Sequence, residues 1–378
     1  MITGIHINKS ILLLFIFSLV LTACIPINSI FLAMPDDKDL QRSPAHLIQA
    51  GENCYQFSKH SDFEVSRLKV NDWTEDIPFF VDIPQFLQTH QVRSFLILRR
   101  DTLLYEYYAQ DLSANSIHPS YSIAKSFTSV LVGIAIDEGH IQSEEDLVIS
   151  YLPELKTYTT DERLNQLKIK HLLNHTSGIH YRLETDAKIY YGRNLMRGIK
   201  GLKFDHQPGT YQHYLNINIQ LLGLVLQNAT QKQPSAYLEE KIWKPLGMCN
   251  DAIWSTDRKD ELEKTYCCLG ATALDYAKFG RLFLKKGVWE DKRIVSEAWY
   301  NKSIARDTSE GSSFNYNYSW YIGLKEYGDF MAIGLYKQHI YVHPKKEIII
   351  ISLNDREKPL KAERVNWWHI FRQLVDQL

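Results

Sequence analysis

The sequence YSIAKSFTS, residues 121–129, places a serine and a lysine three positions apart at the start of a predicted helix. Apolar residues follow at helical spacing, namely Ile123, Phe127, Val130, Leu131 and Ile134, and Gly139 supplies a stop. Positions i and i+3 share a helix face, so Ser122 and Lys125 lie within reach of each other, opposite the apolar stripe. Either Lys125 takes a proton from Ser122, or the two residues are the polar end of a core helix.

The pair can do chemistry only if the lysine is able to accept a proton. A serine hydroxyl is a poor nucleophile until a base removes its proton, and burial can lower the pKa of a lysine from about 10.4 toward 7. The start of a helix also stabilises a developing negative charge. The Ser-x-x-Lys spacing occurs by chance in many chains, so the motif needs support from other residues.

Composition and strand patterns predict an α+β protein. The chain has 378 residues, 45% of them hydrophobic, which is enough for a core. Its net charge of −1 does not indicate a nucleic-acid partner, because nucleic-acid-binding proteins carry an excess of basic residues. Residues 93–109, RSFLILRRDTLLYEYYA, read as a hairpin, and strand signals return after Tyr318. We therefore predict one antiparallel sheet built from about 61–135 and 301–378, around an all-helical part at about 136–300.

The N-terminus predicts an exported protein. An apolar run from Ile11 to Ala23 follows Lys9 and ends in LTAC, which resembles a bacterial lipoprotein signal with Cys24 as the lipidated residue. The alternatives are an ordinary secretory signal and an uncleaved anchor. We expect residues 1–23 to be a signal peptide, 24–60 a polar tether and 61–378 the folded domain, anchored in the bacterial cell envelope on the periplasmic side.

The remaining cysteines and two histidines carry weaker predictions. Cys54, Cys249 and the pair at 267–268 form no obvious disulfide framework; export permits a bridge involving Cys54, whereas Cys267 and Cys268 read as buried thiols that pack. His171 and His175 could share a helix face, but no third ligand follows at a suitable spacing. We therefore predict neither a metal nor a cofactor.

A second polar motif lies about 90 residues after the first. The sequence HYLN contains Tyr214 and Asn216 and follows the turn at Pro208 and Gly209. These two residues are either a surface turn or part of a site. In a site, the phenol would relay protons to a leaving group, and the amide would hold Lys125 and the substrate.

The ordered motifs resemble a known superfamily. Ser-x-x-Lys, HLLNHTSG, PGT, Tyr-x-Asn, KPLGM and ATALDYAKFGRLFL, in this order, are similar to the serine β-lactamases and penicillin-binding proteins, and most of all to class C-related hydrolases such as family VIII esterases and 6-aminohexanoate-dimer hydrolases. The resemblance covers Ser94 to Asp355. It implies a β-lactamase-like fold, an antiparallel sheet with helices on both faces plus a helical region. It also implies Ser122 as nucleophile, Lys125 as base, Tyr214 as acid and base, and Asn216 as a positioning residue.

The third motif of that superfamily departs from its usual form. Relatives carry Lys-Thr-Gly or His-x-Gly on a strand beside the site, whereas this chain reads AIGLYKQHIYV. Alignment puts Tyr336 and Lys337 at the histidine-like and glycine positions and gives Gln338 the oxyanion N–H. A slip in this alignment would instead make Gly334 the small residue. Tyr181 and Glu184 either rim the pocket or belong to a solvated loop.

These residues predict acyl transfer without a cofactor. We expect Ser122 to form an acyl-enzyme with a small ester or amide, a substrate class favoured by the missing Lys-Thr-Gly strand. One alternative is a peptidase of cell-wall D-Ala peptides. Another is an envelope lipoprotein without catalysis that kept the fold to bind a ligand or partner, which the lysine at the usual glycine position would permit.

Overall fold

A computed structural model describes residues 35–72, 79–258, 261–355 and 365–378. The strands, in chain order, are β1 Ala45–Ile48, β2 Ser58–Lys59, β3 Lys69–Asp72, β4 Phe79–Asp82, β5 Ser94–Arg99, β6 Thr102–Tyr108, β7 Ile117–Pro119, β8 Ala252–Ser255, β9 Leu269–Thr272, β10 Val288–Trp289, β11 Lys292–Arg293, β12 Tyr316–Asn317, β13 Trp320–Ile322, β14 Phe330–Gly334, β15 Gln338–His343 and β16 Ile348–Leu353. The α-helices are α1 Asp39–Arg42, α2 Ile83–Thr89, α3 Ile123–Asp137, α4 Ile169–Leu173, α5 Leu183–Tyr191, α6 Leu195–Ile199, α7 Asn216–Thr230, α8 Pro234–Leu238, α9 Ala273–Leu284, α10 Glu297–Ile304 and α11 Trp367–Gln377.

The main sheet joins both ends of the chain, as the strand patterns predict. Its order is β12-β13-β14-β15-β16-β5-β6-β2, antiparallel throughout except for the last pair. The β5–β6 hairpin is confirmed, and its turn consists of Arg100 and Asp101, with φ values of 49° and 61°. Two consecutive residues with positive φ are typical of the tight hairpin turns that match strand twist.

Helices cover both faces of this sheet. Alternate residues of β16 point to opposite sides, so Ile348 and Ile350 pack in the cluster that contains Trp367 and Phe371 of α11. Residues Ile349 and Ile351 instead join the larger core with α3 and α9. The predicted α+β class, with helices on both faces of an antiparallel sheet, is confirmed.

Helix α3 is buried on every side over most of its length. Residues 123–135 are all buried, including the hydroxyl side chains at 126, 128 and 129. Phe127 stacks on Phe279 of α9 at 3.7 Å between ring centroids, while Ser126 and Thr128 donate hydrogen bonds to the carbonyls of Ser319 and Thr265. The prediction of one apolar stripe with a polar face opposite is therefore too simple, because backbone acceptors satisfy the buried hydroxyls of Ser126 and Thr128.

Two predicted boundaries need correction. Part of the predicted tether is folded, because β1 adds to β8 in a second sheet of order β1-β8-β9-β7. The all-helical part ends earlier than residue 300, because β8 and β9 belong to that second sheet and α9 packs on the main sheet. A carbon added at Gly280 of α9 would lie 3.0 Å from the Ile340 side chain, which shows how closely helix and sheet approach.

The four cysteines in the described part of the chain form two disulfides. Cys54 bonds to Cys249, which confirms a bridge involving Cys54, and this bond ties the segment after β1 to the segment before β8. Cys267 bonds to Cys268, so the prediction that this pair packs as free thiols is wrong. In the described part of the chain no helix is long and apolar enough to cross a membrane. The predicted signal peptide and Cys24 lie outside the described residues.

Candidate active site

Ser122 stands at the start of α3 with its hydroxyl available for chemistry. Tyr121, with φ of 44°, turns the chain sharply before the helix, and Ser122 is the N-cap residue. The hydroxyl oxygen of a serine at this position usually accepts a hydrogen bond from a backbone N–H of the first turn. Here Ser122 makes no such capping bond, and its Oγ lies 2.9 Å from the Nζ of Lys125. The predicted i, i+3 contact therefore exists.

Lys125 is a buried amine with two oxygen neighbours. It is 1% exposed, and its Nζ lies 2.9 Å from both Ser122 Oγ and the carbonyl oxygen of Tyr266. Burial lowers the pKa of Lys125 to about 7, and the negative charge of Asp186 opposes part of that shift. A large fraction of Lys125 is therefore neutral near pH 7, as a base for the serine proton requires.

Tyr214 completes a triangle with the serine and the lysine. The Lys125 Nζ lies 4.9 Å from its ring centroid, and interactions with Ser122 and Tyr321 both affect the pKa of its phenol. The residue is 37% exposed at the mouth of the site, yet burial raises the pKa of Tyr214 well above its ordinary value. Tyr214 therefore holds its proton at neutral pH and can give it to a leaving group.

The His175 ring packs against the ring of Tyr214. Its ring lies 4.4 Å from the Tyr214 ring, and its Nδ1 accepts hydrogen bonds from the Leu215 N–H at 3.2 Å and from the Asn218 amide at 3.1 Å. The ring proton is consequently on Nε2, which donates to the Tyr316 hydroxyl at 3.1 Å. Burial lowers the pKa of His175 well below its ordinary value, so the ring stays neutral.

His171 does not join His175 at a shared ligand site. Its Nδ1 accepts from the Lys168 N–H at 3.2 Å, and burial lowers the pKa of His171 to about 4. Among the described residues there is no group of three or more His, Cys, Asp or Glu side chains that could hold a metal ion.

Asn216 is linked to the site by the carboxylate of Asp186, a residue that no sequence motif marks. Asn216 is the first residue of α7, and its interaction with Asp186 of α5 affects the pKa of that carboxyl group. Burial raises the pKa of Asp186, while the bond to Asn216 and the charge of Lys125 act in the opposite direction. Asn216 is thus connected to Lys125 by way of Asp186, in addition to any contact it makes with a substrate.

This arrangement brings together a nucleophile, a base of lowered pKa and a protonated phenol. The model of the family described as Beta-lactamase matches residues 85–374. The chain belongs to the beta-lactamase family. The resemblance predicted from the ordered motifs is confirmed, and the match spans Ser122, Lys125 and Tyr214.

Individual relatives agree with the family. A 6-aminohexanoate-dimer hydrolase of Paenarthrobacter ureafaciens is 26% identical over 307 residues, 74% of this chain and 76% of that protein. A Bacillus anthracis structure described as a 6-aminohexanoate-dimer hydrolase has a TM-score of 0.76 at 20% identity and covers 89% of this chain and 90% of that one. EstCE1, described as a hydrolase with promiscuous acyltransferase activity, has a TM-score of 0.61 at 16% identity, covering 78% and 95%. This beta-lactamase-family chain is a serine hydrolase.

The third motif of this beta-lactamase-family chain lies on the β14–β15 hairpin. A carbon added at Gly334 would lie 2.4 Å from the carbonyl oxygen of Ser120, so the end of β14 passes directly against the segment before the nucleophile. Gln338 pairs with Gly334 across the hairpin, and its buried side chain exchanges hydrogen bonds of 2.7 and 2.8 Å with the Asn354 backbone. The role of the Gln338 backbone N–H at the oxyanion stays a prediction.

Tyr336 and Lys337 form the turn of this hairpin. Their φ values are 59° and 65°, a region in which glycine is the least strained residue. The Lys337 carbonyl accepts a bond from the Asn354 amide at 2.9 Å, and the Tyr336 hydroxyl donates to the Pro35 carbonyl at 2.6 Å while its ring packs edge-on against Tyr121. The lysine at the usual glycine position therefore occupies a turn, and Gly334 provides the close approach.

The two predicted rim residues differ in their surroundings. Tyr181 is 41% exposed, lies 5.6 Å from the His213 ring and lines a cleft that also includes Asp186 and Leu215. Glu184 is exposed and lies 3.6 Å from the Lys188 amine, its neighbour one helical turn away. Tyr181 therefore stands near the catalytic group, whereas Glu184 forms a surface ion pair.

Proposed function

We propose that the protein hydrolyses a small ester or amide through an acyl-enzyme on Ser122. The observation that carries this proposal is the 2.9 Å contact of Ser122 Oγ with Lys125, an amine whose pKa burial lowers to about 7. Neutral Lys125 accepts the serine proton as Oγ attacks the carbonyl carbon, and a tetrahedral intermediate forms.

Two backbone donors would hold the negative oxygen of that intermediate. One is the Ser122 N–H at the start of the 15-residue helix α3, where the helix dipole adds to the stabilisation. The other would be the backbone N–H of Gln338, the donor that the resemblance to this family implies.

The second half of the reaction uses the phenol. Tyr214 gives its proton to the leaving oxygen or nitrogen as the bond to the carbonyl carbon breaks, and Lys125 returns the serine proton to Tyr214. Water then attacks the acyl-enzyme by the same route in reverse, with the hydroxyl of Ser122 as the leaving group.

A small ester or amide fits better than a β-lactam. Support comes from the 6-aminohexanoate-dimer hydrolase relative, from the esterase-like neighbour and from a Leu-Tyr-Lys turn in place of Lys-Thr-Gly. We also propose that the protein acts in the cell envelope as a lipoprotein anchored at Cys24, because the LTAC sequence follows an apolar run of the right length.

The test is covalent labelling followed by intact-mass measurement. The chain from residue 25 onward is treated with a fluorophosphonate, beside Ser122→Ala and Ser129→Ala. Ser129 lies on the same helix, and its buried hydroxyl has no hydrogen-bond partner among the described residues, so it is a matched control. One adduct on the parent and on Ser129→Ala, with none on Ser122→Ala, is expected.

Labelling then leads to a panel of esters, linear amides, D-Ala-D-Ala peptides and β-lactams. Turnover of the esters and amides supports the proposal, and turnover of the peptides alone would favour the cell-wall peptidase. A folded parent that gains no adduct would contradict the proposal and favour a binding protein that kept the fold.

A further inference from the structure

The backbone of residues 265–269 holds the start of the nucleophile's helix. Three carbonyls of this segment accept hydrogen bonds from α3 or from the residues just before it: Tyr266 from the amine of Lys125 at 2.9 Å, Thr265 from the hydroxyl of Thr128 at 2.8 Å, and Leu269 from the N–H of Ser120 at 2.7 Å. The position of the base therefore depends on the conformation of this segment.

A disulfide between neighbouring residues lies within this segment. Cys267 bonds to Cys268, directly after the carbonyl that the Lys125 amine contacts. Cys268 has a φ of 69°, a left-handed conformation that residues with a side chain adopt only at a cost. The bond closes a ring that contains the peptide group between the two cysteines, so it restricts the backbone of both. Opening of this ring would let Cys268 leave the left-handed region.

Strand β8 keeps the two cysteines attached to the protein. The Trp254 indole donates to the Cys267 carbonyl at 2.9 Å, and the Ser255 N–H donates to the Cys268 carbonyl at 3.0 Å. Neither bond involves a sulfur atom, so both can persist when the disulfide opens. We therefore expect the change to fall on the local backbone, including the neighbouring Tyr266 carbonyl, while the fold persists.

One side of the disulfide lines a small cleft. Cys267 and Cys268 are 4% and 7% exposed, and Cys268 lines the cleft together with Asp39, Tyr121 and Lys264. Tyr121 is the residue directly before the nucleophile, so the cleft adjoins the catalytic group. A small thiol that enters this cleft meets Cys268 first.

We propose that the Cys267–Cys268 disulfide is a redox modification site: a dithiol reduces it, and the reduced protein is acylated more slowly on Ser122. The proposal rests on the proposed function, because it concerns the position of the same base. Reduction releases the backbone at the two cysteines, and the Tyr266 carbonyl then no longer holds the Lys125 amine against the serine.

The redox step is an ordinary thiol–disulfide exchange. A thiolate of the dithiol attacks the Cys268 sulfur, and the Cys267 thiolate leaves. The second thiolate of the dithiol then attacks the reductant's own sulfur in the mixed disulfide and releases Cys268. The dithiol loses two electrons and two protons and becomes a disulfide, and the two cysteines gain them and become thiols.

The experiment compares fluorophosphonate labelling of the oxidised and the reduced protein at pH 7. The chain from residue 25 onward carries Cys54→Ser and Cys249→Ser, so that Cys267–Cys268 is the one disulfide left among the described cysteines. Half of the sample is treated with dithiothreitol. Alkylation and intact mass of a parallel sample should count no thiols before reduction and two after it, and tryptophan fluorescence checks that both forms are folded.

Labelling of Ser122 should be at least about tenfold slower in the reduced protein, as expected for the loss of one hydrogen bond to a group that becomes charged. Equal rates in the two forms, with two thiols counted after reduction, would overturn the proposal. Two thiols before reduction, or none after it, would overturn it as well, because the site would then not be a reducible disulfide.

Two variants separate the backbone conformation from the sulfur chemistry. Cys267→Ser with Cys268→Ser lacks the bond and keeps side chains of similar size, so it should label as slowly as the reduced protein. Cys267→Ser with Cys268→Gly also lacks the bond, but glycine adopts a positive φ without a steric cost. This variant should label within about threefold of the oxidised protein, and neither variant should respond to dithiothreitol.

The remaining outcomes are equally decisive. Equal labelling rates in the serine and glycine variants would contradict the role of the backbone at Cys268. If the serine variant does not fold, the reduced protein takes its place in this comparison. Labelling of the oxidised protein is measured first, because a protein without an adduct on Ser122 contradicts the proposed function itself, whereas an adduct that forms at the same rate in both redox states contradicts the redox site alone.

Discussion

Replacing Lys125 with methionine should stabilise the protein, and more so at low pH. Burial lowers the pKa of Lys125 to about 7, whereas a lysine in an unfolded chain has a pKa of about 10.4. Between these values the unfolded state binds more protons than the folded state, so the parent's free energy of unfolding rises with pH. Below pH 7 the charged amine carries its full cost in the folded state, and above pH 10.4 this cost disappears.

The size of the effect follows from the two pKa values. The cost of the buried amine is about 5 kcal/mol at pH 6 and about 2 kcal/mol at pH 9. Methionine has a similar length and no charge, but it loses the bonds to Ser122 and Tyr266, which adds a loss that does not depend on pH. Only the difference between the two pH values is therefore diagnostic, and the gain from Lys125→Met should be about 3 kcal/mol larger at pH 6.

The assay is urea unfolding followed by tryptophan fluorescence at both pH values, with the exposed Lys325→Met as control. The control should show the same change in unfolding free energy at pH 6 and pH 9. The measurement needs no substrate, so it tests the base independently of the reaction. If Lys125→Met also gave equal changes at the two pH values, Lys125 would be charged in the folded protein at neutral pH, and the activation of Ser122 would need another explanation.

Four other predictions concern the site and its frame. The rate of fluorophosphonate labelling should rise with pH around a midpoint near 7, being about tenfold below its plateau at pH 6, because neutral Lys125 is the base; a flat profile would argue against it. Gly334→Ala should reduce labelling at least about tenfold in a folded protein, since the added carbon meets the Ser120 carbonyl; unchanged labelling would contradict the close approach. Cys54→Ser should lower the unfolding free energy by about 2–5 kcal/mol while labelling at 25 °C persists, because the bond closes a loop of 195 residues. Lys337→Gly should keep labelling and leave stability unchanged or up to about 1 kcal/mol higher by calorimetry, as glycine relieves the positive φ.

The parts of the site that the sequence predicted are those with local signals. Ser122 and Lys125 are separated by less than one helical turn, and the apolar residues after them set the helix phase. The β5–β6 hairpin is likewise local, since two strand patterns flank a short polar turn. The ordered motifs placed Tyr214 beside this pair, although the distance between them in the chain is about 90 residues.

The residues that sequence reasoning missed reach the site through tertiary packing alone. Asp186 and Tyr321 come from a surface helix and a three-residue strand, and neither belongs to a motif. Tyr266 contributes its carbonyl, a group present in every residue, and a ring whose centroid lies 5.6 Å from the Lys125 amine. The third motif is also hard to place from sequence, because a shift of a few residues along a strand leaves its composition almost unchanged, and the assignment of the Gln338 N–H to the oxyanion stays a prediction.

Burial of Lys125 lowers the stability of the folded protein, and it also brings the pKa of this base close to neutral pH. Neutral aromatic groups, Tyr214, Tyr266 and His175, make the surroundings of the amine poor at stabilising charge, and this lowers its pKa. Asp186 acts in the opposite direction, which keeps the pKa from falling so far that the amine would no longer hold the serine proton. The two opposing effects place the base near the pH at which proton transfer is most efficient. Asp186 therefore affects the pKa of the base although it belongs to no sequence motif.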